Sequence, residues 1–213
     1  MKQAWTVVLA SRNRGKAREF ERLLGDTFTV RPLPAAVVLP QEVGQTFAEN
    51  ARLKAEAVWN ALGGRQAVLA DDSGLEVASL GGRPGVHSAR FAGETAGDEE
   101  NVAKLLDELV GMSNREARFV CALCLLLPND QDNGSKTFQR IEVEGYCEGT
   151  ITVLPRGAHG FGYDPVFRPA GWEATLAEAD PQTKDLVSHR GAAARALLAH
   201  LASEDTTEGA VAS

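Results

Sequence analysis

The sequence predicts an α/β protein with a mixed, twisted central sheet, flanking helices and two lobes around a cleft. Three observations carry this reading. Short apolar, β-branched runs alternate with helix-spaced apolar stripes. Two long strand-like runs, Arg118 to Leu127 and Thr137 to Gly145, face each other across a polar turn. The 213 residues are enough for one sizeable core. Residues 1–202 read as a single domain, and the small, polar, acidic residues 203–213 as a disordered tail.

Composition narrows the function classes. Hydrophobic residues make up 44% and charged residues 24%, and no apolar run approaches the roughly 18 residues that cross a membrane. A net charge of -7 argues against broad nucleic-acid binding, which needs basic surface to release counterions from phosphates. Three cysteines and an N-terminus too short in apolar residues for a secretory signal make a reducing cytoplasm the expected location. Cys121 and Cys124 lie three apart in a strand-like run, so they face opposite sides of the sheet and read as core residues rather than a chelating pair.

The first strand is expected from Ala4 to Ser11, followed by a helix whose buried face carries Ala17, Phe20, Leu23 and Leu24. Between them Ser11-Arg12-Asn13-Arg14-Gly15-Lys16 puts three cations in five residues of an acidic protein. A cation in the first helical turn is disfavoured by the helix dipole unless an anion also binds there, so the loop asks for a phosphate. A solvated basic turn accounts for the same residues. It is not a P-loop, since Ala10 and Ala17 stand where that motif needs Gly and Ser or Thr.

A short strand near Phe28 to Val30 is followed by a Pro- and Val-rich extended segment, Arg31 to Gly44. The next helix opens with a capping box, Thr46 and Glu49, and its stripe is Phe47, Ala51, Ala55, Val58 and Leu62. The cap accounts for Glu49 but not for Glu42. The run Ala67 to Ala70 then reads as a strand ending in Asp71-Asp72-Ser73-Gly74. Carboxylates at a buried strand end suit a hard cation such as Mg²⁺, and equally suit a turn and cap. The Gly-rich stretch 81–90 reads as a loop bordering a cleft. Val102, Leu105, Leu106 and Leu109 mark a helix with a dipole-favoured acidic start.

After the hairpin, a short strand is expected near Thr150 to Val153. Gly160-Phe161-Gly162-Tyr163-Asp164-Pro165 fails as a dinucleotide fingerprint because Pro165 occupies the third Gly position. Its two aromatics offer a face for a planar ring and Asp164 an acceptor, or the stretch is a turn pinned by aromatics. Lys184, Ser188, His189 and Arg190 precede a last helix striped by Ala193, Ala196, Leu197 and Leu201.

Basic helix starts, carboxylates at a strand end and an aromatic Gly-rich turn together describe a nucleoside triphosphate site. Their order and wording resemble the inosine triphosphate pyrophosphatase family from Val7 to about Leu198. The resemblance rests on SRNRGK (11–16), EVGQTFAENA (42–51), ADDSG (70–74), GGRPGVHSARFAG (81–93), GFGYDP (160–165) and SHRG (188–191). It implies hydrolysis of ITP, dITP or XTP between the α and β phosphates, giving a monophosphate and pyrophosphate, by a homodimer. Glu42 and Asp72 would bind Mg²⁺ and Asp72 would activate water. Ser11, Asn13 and Lys16, with Arg12, Arg14 and Gly15 of the same loop, would hold the triphosphate beside Ser73. Phe161, Gly162, Tyr163, Asp164, Lys184, His189 and Arg190 would take the base. Two residues depart from the family pattern: His87 replaces an aromatic and Ser11 a frequent Thr. The alternative is a Maf-like nucleotide pyrophosphatase with other substrates.

Overall fold

A computed structural model describes residues 5–129 and 137–211, the last eight of these by backbone only. Six strands form one sheet in the order β2-β1-β3-β4-β5-β6: β1 (Trp5–Leu9), β2 (Phe28–Arg31), β3 (Ala67–Val77), β4 (Glu116–Pro128), β5 (Phe138–Ile151) and β6 (Phe167–Pro169). The first three are parallel neighbours, and β3 through β6 are antiparallel, so the sheet is mixed as the sequence predicts. The helices are α1 (Arg14–Leu24), α2 (Phe47–Ala61), α3 (Asp98–Glu108), α4 (Pro181–Val187) and α5 (His189–Val211). Among the described residues no helix is long and apolar enough to cross a membrane.

Alternation along β4 divides the core. Cys121, Leu123, Leu125 and Leu127 pack with Phe20, Leu24 and Leu197 of α1 and α5, whereas Val120, Ala122, Cys124 and Leu126 pack with Ala51, Ala55, Val58 and Trp59 of α2. The two cysteines face opposite sides, as expected. A third cluster, with Leu75, Leu105, Phe119, Ile151 and Phe167, fills the other end of the sheet under α3. Two lobes result, joined by β3, β4 and β5, and the cleft lies between them.

Several boundaries differ from the sequence reading. The strand that was to end at Ala70 continues to Val77, because β4 pairs with it from Val68 to Val77 and carries the ladder straight through Asp71 and Asp72. The strand expected near Thr150 to Val153 is the end of β5. The helix α4 lacks an apolar stripe of its own and is started by Asp180, whose side chain accepts from Thr183 N–H. The backbone of α5 continues through the expected tail to Val211. Most of the hairpin turn, residues 130–136, lies outside the described residues.

Candidate active site

β1 stops at Leu9 while β3 runs on beside it, which leaves the start of α1 facing the second half of β3. Asn13 caps α1, its Oδ1 accepting from the N–H groups of Gly15 at 2.8 Å and Lys16 at 3.1 Å. The remaining N–H groups of the first turn still favour an anion. Lys16 reaches Asp71, with Nζ 2.9 Å from Oδ2. Arg12 turns away from this point. Its guanidinium donates to the carbonyls of Leu33, Pro34, Ala35 and Val37 at 2.7–3.3 Å, so it braces the extended segment leading to Glu42.

The adjacent aspartates point to opposite faces of β3, as strand geometry requires, and each face has its own ammonium. On one face Asp71 meets Lys16 and lies 3.7 Å from Arg190, and Ser73 Oγ donates to it at 3.0 Å. Burial works against its charge, but Lys16, Arg190 and Lys54 outweigh that and hold its pKa near 2. Asp71 therefore fixes a cleft lysine and does not brace a turn. On the other face Lys54 Nζ lies 2.7 Å from Glu42 Oε1 and 2.9 Å from Asp72 Oδ1. One turn earlier on α2, Asn50 Nδ2 donates to Asp72 Oδ2 at 3.1 Å while its Oδ1 accepts from Gly44 N–H at 2.8 Å. Burial, with the Glu42 charge adding to it, raises the pKa of Asp72 despite Lys54. Glu42 goes the other way: its burial cost is outweighed by Lys54, Lys16 and Arg90.

The loop at 81–93 borders the cleft through Ser88, which accepts from Leu75 N–H and donates to Gly85 O, while its own carbonyl accepts from Tyr163 O–H at 2.8 Å. Gly74 admits this loop, since a Cβ there would lie 2.7 Å from Gly85 O. Across the cleft Asp98, at the start of α3, accepts from Gly162 N–H at 2.6 Å, and Asp164 accepts from Phe161 N–H at 2.9 Å. These bonds set Phe161 against Gly15, where any side chain would strike the ring, and over the cations of Lys184 and Arg190.

His189 stacks on Phe119 with ring centroids 4.6 Å apart, and its Nδ1 is buried without a hydrogen-bond partner. Burial, reinforced by Arg190, Lys184 and Lys16, holds it well below the usual imidazole value of 6.5. The fold therefore keeps it neutral at pH values where the unfolded chain protonates it. Stability is complete above about pH 6.5 and falls below it by up to about 1.4 kcal/mol per pH unit. His189→Gln is expected to flatten this slope between about pH 6.5 and 5 in urea unfolding. An unchanged slope would mean that the imidazole is charged in the fold.

The cleft is lined by Asn13, Lys16, Glu42, Asp72, Ser73, Phe161, Gly162, Tyr163, Asp164, His189 and Arg190 among the residues singled out from sequence. Ser11, Arg12, Arg14, Gly15 and Lys184 are not on its wall. Ser11 Oγ accepts from Asn13 N–H, Arg14 is exposed, and Lys184 Nζ is held behind the wall by Asp164 at 2.6 Å and Glu19 at 2.7 Å. His87 is exposed. Sequence reading missed Lys54, Asn50, Glu19 and Asp98. The first two sit at i and i+4 on the buried face of α2, among Phe47, Ala51 and Ala55, so a lysine at core spacing was the available signal.

Fold and cleft together define a class: a mixed α/β protein whose interlobe cleft joins a capped helix start and paired carboxylates to an aromatic ring over buried cations. The Ham1 family model matches residues 7–200. The chain belongs to this family. It is 46% identical over 196 residues to the dITP/XTP pyrophosphatase of Prochlorococcus marinus (strain NATL1A), covering 92% of this chain and 93% of that one. The dITP/XTP pyrophosphatase of Geobacillus kaustophilus (strain HTA426) is 48% identical, over 88% of this chain and 89% of its own. The solved structure of the Staphylococcus aureus Ham1 protein is 38% identical and superposes with a TM-score of 0.78, covering 93% of this chain and 99% of that one.

Proposed function

We propose that the chain is a nucleoside triphosphate pyrophosphohydrolase that converts dITP, ITP and XTP to the monophosphate and pyrophosphate. The observation that carries this is the cleft itself. One continuous wall runs from Lys16 and Asn13 past Glu42 and Asp72 to Phe161, His189 and Arg190, which suits a ligand with an anionic end and a planar end. The polyphosphate lies at the start of α1 against Lys16, and the base lies at the ring of Phe161. The names of the relatives agree with that substrate class.

The carboxylate pair fits Mg²⁺. Glu42 and Asp72 come close enough to share one ammonium, and both present hard oxygens. Among the described residues no group of three or more His, Cys, Asp or Glu forms a full cage. Two carboxylates would leave the rest of a Mg²⁺ shell to waters and to oxygens of the substrate phosphates. Bound there, Mg²⁺ would offset charge developing on the phosphate oxygens.

The protein's own residues do the rest. Lys16 places positive charge beside the phosphates, where Asp71 holds it. Asp72, with its proton affinity raised by burial, accepts the proton of the attacking water as the α–β anhydride opens. Lys54 and Asn50 keep its two oxygens oriented. The base meets donors from Arg190 and the edge of His189, which suits a 6-keto purine better than the 6-amino group of adenine. The protein acts as a homodimer in the cytoplasm, with the family resemblance as support.

The reading is tested with ITP, dITP, XTP, GTP, ATP and dTTP, with and without Mg²⁺, assaying pyrophosphate and orthophosphate separately. Pyrophosphate from ITP, dITP and XTP at rates at least about tenfold above ATP is the expected result, a tenfold margin needing only about 1.4 kcal/mol of differential transition-state binding. Orthophosphate as the first product would overturn it.

A further inference from the structure

Glu42 rides on the extended segment between β2 and α2, which has little order of its own. Among the described residues, the backbone from Pro34 to Val43 makes one hydrogen bond to other backbone, Val37 N–H to Pro34 O at 3.1 Å. Val38 and Val43 are 85% and 73% exposed, so burial does not hold the stretch on either side of Glu42. The far end is pinned to α2. Asn50 Oδ1 accepts from Gly44 N–H at 2.8 Å, and Glu49 Oε2 accepts from the N–H groups of Gln45 and Thr46 at 2.7 and 3.2 Å.

The near end is pinned from the loop before α1. Leu33 and Val37 bury their side chains in the cluster with Phe47, Ala51 and Val58, and Arg12 gathers the carbonyls of the turn between them. Its Nη1 donates to Leu33 O at 2.8 Å, and its Nη2 to the carbonyls of Pro34 at 2.8 Å, Ala35 at 3.3 Å and Val37 at 2.7 Å. This is a use of the planar guanidinium fork that a single ammonium cannot copy. The next residue, Asn13, caps α1, and Lys16 follows in its first turn. One side chain therefore joins the loop that meets the polyphosphate to the segment that carries Glu42. Arg12 is exposed and is not on the cleft wall, so it acts through the segment it holds.

We propose that Arg12 is a positioning residue for the metal site: by gathering the carbonyls of residues 33–37 it fixes the segment that delivers Glu42 to Asp72. This rests on the reading of Glu42 and Asp72 as the Mg²⁺ pair. Arg90 is a poor substitute, since it reaches the carboxylate and carbonyl of Glu42 only at 3.5 and 3.4 Å. Without Arg12 the four carbonyls turn to water, and the chain ahead of Glu42 is held by two buried side chains alone. Binding a cation must then also order that chain, which costs conformational entropy.

The test compares the wild type with Arg12→Met and Arg12→Lys. Calorimetry is run with MgCl₂ alone and, in EDTA, with pyrophosphate; hydrogen exchange is followed at Val37 N–H. Both variants are expected to bind Mg²⁺ about tenfold more weakly, the low end of the loss seen when an outer partner of a metal ligand is removed. Arg12→Lys keeps the charge of the loop, so its metal-free pyrophosphate affinity should change by less than about twofold. Exchange at Val37 should quicken about tenfold while the amides of β4 keep their rates, which a general loss of stability would not produce. Should Arg12→Met not fold, Arg12→Lys reads the same split. Unchanged Mg²⁺ affinity in a variant of a wild type that binds the ion overturns the proposal, as does a loss confined to pyrophosphate, which would make Arg12 a phosphate ligand. A wild type that neither binds Mg²⁺ nor releases pyrophosphate from ITP would overturn the reading of the carboxylate pair, and this proposal with it.

Discussion

Asp72→Asn is expected to lower turnover of ITP by about 10²–10⁴-fold, the usual contribution of a positioned proton acceptor, while nucleotide still binds. The geometry makes this substitution informative. Asn at position 72 can still accept from Lys54 with one oxygen, so the ammonium keeps a partner. Its other atom becomes an N–H₂ group facing the Nδ2 of Asn50, where the wild type has an acceptor at 3.1 Å. Asn50 can relieve that clash only by turning its amide, which would point Nδ2 at the N–H of Gly44 and undo the bond at 2.8 Å. The cost falls on the loop carrying Glu42 and on proton acceptance, whereas Lys16, Asp71 and the ring of Phe161 are untouched. Single-turnover kinetics by rapid quench, with equilibrium binding measured separately, would distinguish the two effects. Turnover near the wild-type rate would refute Asp72 as the proton acceptor.

The sequence made these carboxylates visible for a partly wrong reason. Asp71 and Asp72 stood out as a strand terminus, yet they occur in the middle of β3, where charges are tolerated because Lys16 and Lys54 neutralise the two faces separately. That could not be read locally. The strand that carries the ladder past them begins at Glu116, and the ammonium groups come from two different helices. Glu42 was legible because the capping box explained its neighbour Glu49 and nothing explained it. The capping box is present, with Thr46 Oγ1 accepting from Glu49 N–H and Glu49 accepting from Thr46 N–H. The hairpin, the opposed cysteines and the aromatic loop were likewise local patterns of period and turn chemistry.

What stayed hidden were side chains whose partners lie far along the chain. Arg12 looked like a phosphate ligand within a basic loop, but four carbonyls between Leu33 and Val37 capture it, a competition no spacing rule anticipates. Lys184 read as a free donor and is instead bound between Asp164 and Glu19. Glu19 went unnoticed in the sequence. Its position beside Phe20 and three residues after Lys16 in fact places it on the inward side of α1, where it is buried. In each case the residue type was noticed or noticeable, and the deciding fact was which charge the fold brings to it.

Lys54→Met is expected to destabilise the protein by about 3–5 kcal/mol, because a buried ion cluster loses one member and leaves the others uncompensated. Met matches the length and apolar stem of the lysine, so packing against α2 is conserved and the effect is electrostatic. Glu42 Oε1 and Asp72 Oδ1, now both within reach of one ammonium, would face each other with Asn50, Arg90 and the more distant Lys16 left to oppose their repulsion. A divalent cation can do for these oxygens what the ammonium did. Mg²⁺ should therefore raise the melting temperature of Lys54→Met more than that of the wild type, where Lys54 already supplies the charge and competes for the same oxygens. If magnesium binds the native pair, the variant should also bind it more tightly in titration calorimetry while turning over more slowly, since the lysine that orients Asp72 is gone. A variant as stable as the wild type, with no added response to Mg²⁺, would mean that Glu42 and Asp72 do not form a cation site and that Lys54 is only a spacer.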